Sequence, residues 1–326
     1  MNLNWKNFLL AENAIFNCDT DIVFPLPKHE GNKHIYPIAH LGILTVAGID
    51  AAKFLQGQIT CNINDITNIK SSLGAICNPK GRAITTFLLI KNADAFLMIL
   101  PHELLELVKK RLQMYVLRSA VTLTDSSDEL CLIGLSDGAV HPAEAVDFTT
   151  SRQENIIVNL QNRNLIIAMA NHAQTFWSER LKQGFQPEDS AQWRYLDIIS
   201  RIPWLTAATS EEFIPQMLNL DKLGGISFNK GCYTGQEIVA RTHYLGKAKR
   251  EMFLVEYDGL EAPEPNSTII DNSTGTEQNI GKVLYAQSRH NSCKMLIVLQ
   301  VSDTSTYNLK LKNYNPNKIT LLTTLF

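Results

Sequence analysis

Between Leu41 and Ala47 the chain reads LGILTVA, an unbroken apolar run that predicts a buried strand. Asp50 stands where a helix N-cap is expected, just before AAKFLQGQ. Two more apolar runs, 84–90 and 95–100, are separated by the polar turn Asn92–Asp94 and predict a strand pair. From Pro101 the period changes. Leu104, Leu105, Val108, Leu112 and Tyr115 recur at helical spacing, and Glu106 precedes Lys110 by one turn, as an ion pair along a helix requires. Strands are predicted at 121–124, 130–135, 155–159 and 164–170. A helix over 172–183 is stopped by Gly184. Another starts at Ser190, a natural cap, and runs to about Ile199 before Pro203 ends it.

From Met252 the character changes again. MFLVEY, STII, GKVLYA, KMLIVLQV, NLKLK and KITLLTTLF are short runs separated by Pro, Asn, Ser, Gly and Asp. Strands of this length and spacing predict a small β-barrel or sandwich domain. The boundary is expected near residues 245–251, between a body over 1–245, taken as two subdomains, and a strand-rich domain over 246–326. Residues 1–35 look polar and irregular, with Pro25, Pro27 and Gly31, and read as a mobile arm. No internal repeat or low-complexity tract interrupts this plan.

Composition narrows the function classes. A chain of 326 residues is long for one core. Its net charge of −2 argues against a large nucleic-acid face, although a local basic patch fits within it. The six cysteines include no CxxC pair, which speaks against a zinc ribbon, a thioredoxin-like site or a cluster-ligating run. The start, Met1 to Phe16, lacks the basic and apolar regions of a signal peptide, and the apolar stretch Ala83 to Leu100 is broken by Lys91, Asn92 and Asp94. A soluble, cytoplasmic protein with reduced thiols is expected.

One segment concentrates chemistry. Residues 224–237, GGISFNKGCYTGQE, place four glycines within twelve residues around one thiol, one lysine and one carboxylate. Such a loop can expose its backbone amides. Cys232 would be held as thiolate by a nearby cation, for which Lys230 and Arg241 are the candidates. The alternative is a small buried apolar residue, the usual fate of a lone intracellular cysteine. Past the loop, Arg241, Lys247, Lys249 and Arg250 form a basic stretch that suits either an anion or a solvated linker.

KGCYTGQE, residues 230–237, resembles the signature of the YgfZ family. Phe213-Ile214-Pro215-Gln216, Asn219-Leu220, GGISF, Gln56-Gly57-Gln58 and Pro79-Lys80-Gly81-Arg82 follow the same family pattern, in order, over roughly residues 40–300. The resemblance implies a fold like the glycine-cleavage T-protein: an α+β body with ferredoxin-like elements and a C-terminal β-barrel. It implies tetrahydrofolate, or a derivative, as cofactor. The expected partners are iron–sulfur enzymes such as those that methylthiolate tRNA, served indirectly and without strong nucleic-acid or membrane binding. By motif match it makes Cys232 the key thiol, with Lys230 and Glu237 beside it. It also makes Trp193, Tyr233, Gln236 and Arg241 the folate-site candidates. A tryptophan can stack on a pterin, but on pattern alone Trp193, on the apolar face of its helix, fits ordinary core packing better.

The sequence also departs from the related patterns. Leu41 stands where some family members have a second folate-site tryptophan. Ile199 falls near the T-protein's pterin-holding glutamate, and Arg201 occupies a position where the family often has glycine. The T-protein's catalytic aspartate falls on Thr85 or Thr86, and neither hydroxyl can replace it, so aminomethyl transfer is not expected. The alternatives are a one-carbon transferase on another substrate, with Glu237 or Asp197 as base, and a docking module that uses the barrel.

Overall fold

Asn2 opens the first helix of the computed structural model, its Oδ1 accepting the amides of Asn4 and Trp5 at 2.9 and 3.1 Å. The structure describes residues 1–25, 31–137, 148–160, 162–246, 248–259, 261–273, 276–289, 292–301, 308–314 and 318–322. Helix α1 (Leu3–Ala11) buries Trp5 and Leu9, and the hairpin β1 (Ile15–Cys18) and β2 (Asp21–Val23) follows. This corrects the expectation of an irregular arm: the side chains of Trp5 and Leu9 fix the segment in a core. Pro27 lies outside the described residues.

The remaining elements follow in chain order. They are β3 (His34–Ile38), β4 (Leu41–Ala47), α2 (Ala51–Gln56), β5 (Ser72–Cys77), β6 (Ala83–Asn92), β7 (Ala95–Pro101), α3 (His102–Val116), β8 (Thr122–Asp125), β9 (Leu130–Ser136), β10 (Thr150–Arg152), β11 (Ile156–Asn159) and β12 (Arg163–Met169). Then come α4 (Ala170–Lys182), β13 (Gln186–Pro187), α5 (Ser190–Ile199), α6 (Gln236–Tyr244), β14 (Arg250–Tyr257), β15 (Thr268–Asp271), β16 (Gln278–Arg289), β17 (Ser292–Gln300), β18 (Leu309–Leu311) and β19 (Ile319–Leu321). Apart from the final run, whose end lies outside the described residues, the elements anticipated from the apolar pattern are present within three residues of their expected ends. Gly184, at φ +85°, ends α4 as its position suggested. Two expected caps act otherwise: the Asp50 carboxylate accepts the Ala120 amide, and the Ser190 hydroxyl accepts that of Ile22.

The chain divides into two compact units, and they interleave in sequence. One holds 1–55, 62–72 and 87–193; the other holds 56–61, 73–86 and 194–326. In the first unit β4 pairs with β7 and β8, and β7 also takes the end of β6. A six-stranded sheet runs in the order β10-β11-β12-β9-β3-β13. One face of it packs Ile35, Ile133, Leu135 and Ile166 against α1 and α4 through Trp5, Leu9 and Trp177. The register places Tyr36 and Leu165 opposite Gly134 on the other face.

In the second unit β18-β15-β16-β17-β14-β19 form the expected C-terminal sheet. Its edge strands β18 and β19 touch, so the sheet nearly closes into a barrel. Val255, Val283, Met295 and Ile297 fill its interior. The last four residues of KITLLTTLF lie outside the described residues. Among the described residues, no helix is long and apolar enough to cross a membrane.

Candidate functional site

The glycine-rich segment is built onto two short pieces of chain that precede it by well over a hundred residues. Thr60 anchors its start. The Thr60 hydroxyl donates to the Gly225 carbonyl at 2.7 Å and accepts the Ala75 amide at 2.8 Å, while the Ser227 amide reaches the Thr60 carbonyl at 2.9 Å. Farther on, the loop meets the turn Asn78–Arg82. Asn78 ties that turn together, its Oδ1 accepting the amides of Lys80 and Arg82 at 2.9 and 3.0 Å. Gly235, at φ +84°, sits directly on it: a β-carbon there would lie 2.5 Å from the Asn78 carbonyl oxygen and 2.9 Å from the Gly81 α-carbon. Gly81, at φ +71°, is needed on the other side of this contact, where a β-carbon would lie 2.7 Å from that of Ile238.

Lys230 is half-buried. Its ammonium donates to the carbonyls of Ile59 and Cys61 at 2.6 and 3.0 Å and stands 4.9 Å from the centre of the Tyr233 ring. Burial pulls its pKa down to about 8, against a smaller upward pull from Cys61. Tyr233 is 7% exposed, and burial pushes its phenol pKa upward, with Cys77 and Cys61 adding to the effect. Lys230 and Tyr233 thus hold the loop's shape. The hydrogen bonds of Lys230 go to backbone carbonyls and not to Cys232.

Cys232 lies between these two anchors and is exposed. That decides between the two readings of a lone cysteine: it is no core residue. Glu237 and Arg241 meet across one turn of α6 at 3.1 Å, with both side chains mostly in solvent. This is an ordinary surface pair. Gln236, at the first turn of α6, is partly exposed. Lys247 lies outside the described residues. No group of His, Cys, Asp or Glu side chains suited to a metal ion occurs among the described residues.

Trp193 belongs to the first unit, whereas the other six candidates lie in the second. Its ring is 1% exposed. It fills the notch at Gly134, lies 5.5 Å from the Tyr36 ring at 56°, and carries the Arg163 guanidinium 4.2 Å from its centre. The rings of Trp193 and Tyr233 are both covered by protein groups, and neither fits a role of stacking on a pterin as it stands.

The departures have structural counterparts. Thr85 and Thr86 are buried. The Thr86 hydroxyl donates to the Pro203 carbonyl at 2.6 Å and that of Thr85 to the Thr86 carbonyl at 3.0 Å, so no carboxylate occupies this strand position. Arg201 adopts φ +55°, a left-handed conformation that glycine takes without strain. Ile199 is 41% exposed. Asp197 is buried, its carboxylate accepting the Trp204 indole N–H at 2.9 Å.

One feature of the site was missed from sequence. Phe228 and His243 stack face to face with centroids 3.6 Å apart, and Tyr244 stands edge-on beside His243 at 4.8 Å. No spacing rule announces this group. A loop residue here meets a helix residue fifteen positions later, beyond the left-handed turn at Gly235.

No family model matches the sequence. The chain is 31% identical over 277 residues to the tRNA-modifying protein YgfZ of Colwellia psychrerythraea, covering 82% of this chain and 85% of that protein. Its fold resembles the crystal structure of glycine cleavage system aminomethyltransferase T from Bartonella henselae, with a TM-score of 0.75 over 100% of this chain and 97% of the other, at 12% identity. The T-protein-like architecture expected from the motifs is therefore the one adopted.

Proposed function

This chain belongs to the YgfZ family, and from that premise we propose that it is a folate-binding factor of tRNA modification in the cytoplasm. It serves iron–sulfur enzymes such as those that methylthiolate tRNA, with Cys232 as the working thiol. The observation that carries this reading is the division of labour within the motif. Lys230, Tyr233 and Gly235 are committed to holding the loop, and the residue left at the surface among them is the thiol. A thiol presented on a fixed loop can meet an oxidised or incomplete site on a client enzyme.

Tetrahydrofolate, when bound, would supply one-carbon or reducing chemistry. This reading routes nothing through the rings of Trp193 and Tyr233, because both are covered. Glu237 is better placed as a surface ion-pair partner than as a base, and Thr85 and Thr86 offer no carboxylate. Both points support an accessory role over aminomethyl transfer.

Two measurements test the reading. Calorimetric titration of anaerobic protein with tetrahydrofolate should give saturable binding; a folded protein that binds none would remove the folate part. In cells lacking the chain, Cys232→Ala should fail to restore tRNA methylthiolation while melting like wild type. Full restoration by that variant would remove the thiol part.

A further inference from the structure

We propose that the exposed rings at the end of α6 form a stacking platform for unpaired bases of an RNA strand. Phe228 and His243 are parallel, at 11° and 3.6 Å, and Tyr244 stands across both at 78° and 72°. The group faces solvent: His243 is exposed, Tyr244 is 63% exposed, and Leu245, next in the chain, is 83% exposed. Phe228 is half-buried and stacked on His243, so the aromatic surface offered to solvent is that of His243 and Tyr244, and grouped apolar surface of this kind marks a contact site.

Charge chooses the occupant. Arg241 precedes Tyr244 by three residues on α6, and Lys249 and Arg250 follow. Of the nearby carboxylates, Glu237 is paired with Arg241 and Glu251 with Lys222. Lys249 and Arg250 are exposed and make no ion pair among the described residues. Solvent-exposed rings followed within six residues by cations that carry no ion pair among the described residues match the two parts of a nucleotide, a base with a π-face and a phosphate. An acidic peptide would satisfy the cations and leave the parallel rings unused. With a net charge of −2 and few local cations, the contact is weak and sensitive to salt. The choice of RNA rests on the tRNA-modification reading above; the platform itself rests on the rings and the charges. Unpaired loop bases are what such rings can take, because bases in a duplex are already stacked.

The test is fluorescence anisotropy of a labelled single-stranded RNA decamer with full-length protein at low salt, beside the duplex and the DNA of the same sequence. Wild type should bind the single-stranded RNA saturably and the duplex more weakly. Tyr244→Ser and His243→Ser should each weaken binding by roughly fivefold to a hundredfold, the range for loss of one stacking partner. The double variant Lys249→Gln/Arg250→Gln should flatten the salt dependence by a slope of about 1 to 2. These positions are exposed, so the variants should melt like wild type and titrate tetrahydrofolate unchanged. Failure here is thereby separable from failure of the folate reading. Three outcomes overturn the platform. One is absence of RNA binding, or binding that the ring variants leave intact. The second is DNA bound more tightly than RNA. The third is a concentration-dependent dimer, seen by sedimentation and dissolved by Tyr244→Ser, which would make a second copy of the chain the occupant. Loss of folate binding in Tyr244→Ser would assign the rings to the pterin instead and likewise overturn it.

Discussion

The six-membered ring of Trp193 fills the space that a side chain at Gly134 would need: a β-carbon there would lie 2.2 Å from Cε3 and 2.3 Å from Cζ3. Gly134 sits on β9 between Tyr36 and Leu165, so the notch is fixed by backbone on three strands and cannot widen. The tryptophan must give way if the notch is filled. Gly134→Ala should therefore destabilise the fold by about 1–3 kcal/mol, the usual cost of overpacking a rigid site. Urea unfolding would measure the change, and a red-shifted tryptophan emission would report the displaced ring. Unchanged stability would mean that Trp193 is loosely seated, and its role as a folate wall would be open again.

Much of this architecture was legible in the apolar pattern. LGILTVA, the helix from Pro101 and the short runs after Met252 each carry a strong period or clear turn punctuation, and each became the expected element. The first helix was obscured by its asparagines. One of them, Asn2, is its N-cap, and Trp5 and Leu9 are its buried face. The motif residues were visible as types, but their tasks were not. Whether Lys230 points at the thiol or at the carbonyls of Ile59 and Cys61 depends on a contact spanning about 170 residues, for which sequence spacing holds no signal. Arg201 was marked as a departure, and its left-handed backbone gives the physical reason why glycine suits that position.

The motif glycines should differ sharply in tolerance. Gly235 combines φ +84° with a β-carbon position 2.5 Å from the Asn78 carbonyl oxygen, whereas nothing lies within 4 Å of a β-carbon at Gly231. Gly235→Ala should cost about 2–4 kcal/mol, combining backbone strain with a clash against main chain that cannot retreat. Gly231→Ala should stay within about 0.5 kcal/mol of wild type. Chemical denaturation of the two variants side by side checks the contrast. Equal effects would mean that the Gly235 turn does not depend on the Asn78–Arg82 contact.

Lys230 makes stability depend on alkaline pH. Its pKa is about 8 in the folded chain and 10.5 in the reference state, so between these values the unfolded chain binds more protons. Stability from this group therefore rises as pH increases from about 8 to 10.5 and is lowest below 8, where the buried ammonium is fully charged. The difference in urea midpoint between wild type and Lys230→Met should accordingly move in favour of wild type across that window. The two carbonyl hydrogen bonds and the Tyr233 ring favour the charged amine, and burial outweighs them. A pH-independent difference would show that the ammonium is solvated in the native state.

Thiol reactivity should separate the six cysteines into two classes. Cys232 and Cys18 are exposed, while Cys61, Cys77, Cys131 and Cys293 are buried. The Cys18 thiol is also shifted toward thiolate by its hydrogen bond to the Thr20 hydroxyl, at 3.5 Å. Burial does the opposite at Cys131, raising its pKa to about 12, and pushes Cys293 upward as well. Since the thiolate is the reacting form, brief treatment of native protein with iodoacetamide should modify Cys18 and Cys232, with the other four reacting only in denaturant. Peptide mass spectrometry reads this directly. In a Cys18→Ser background the same reagent becomes selective for Cys232, and that singly alkylated protein should lose support of tRNA methylthiolation while still titrating tetrahydrofolate. Labelling of Cys61 or Cys77 as fast as Cys232 would mean that the floor of the motif loop opens in solution, and the fixed-loop presentation of the thiol would fail with it.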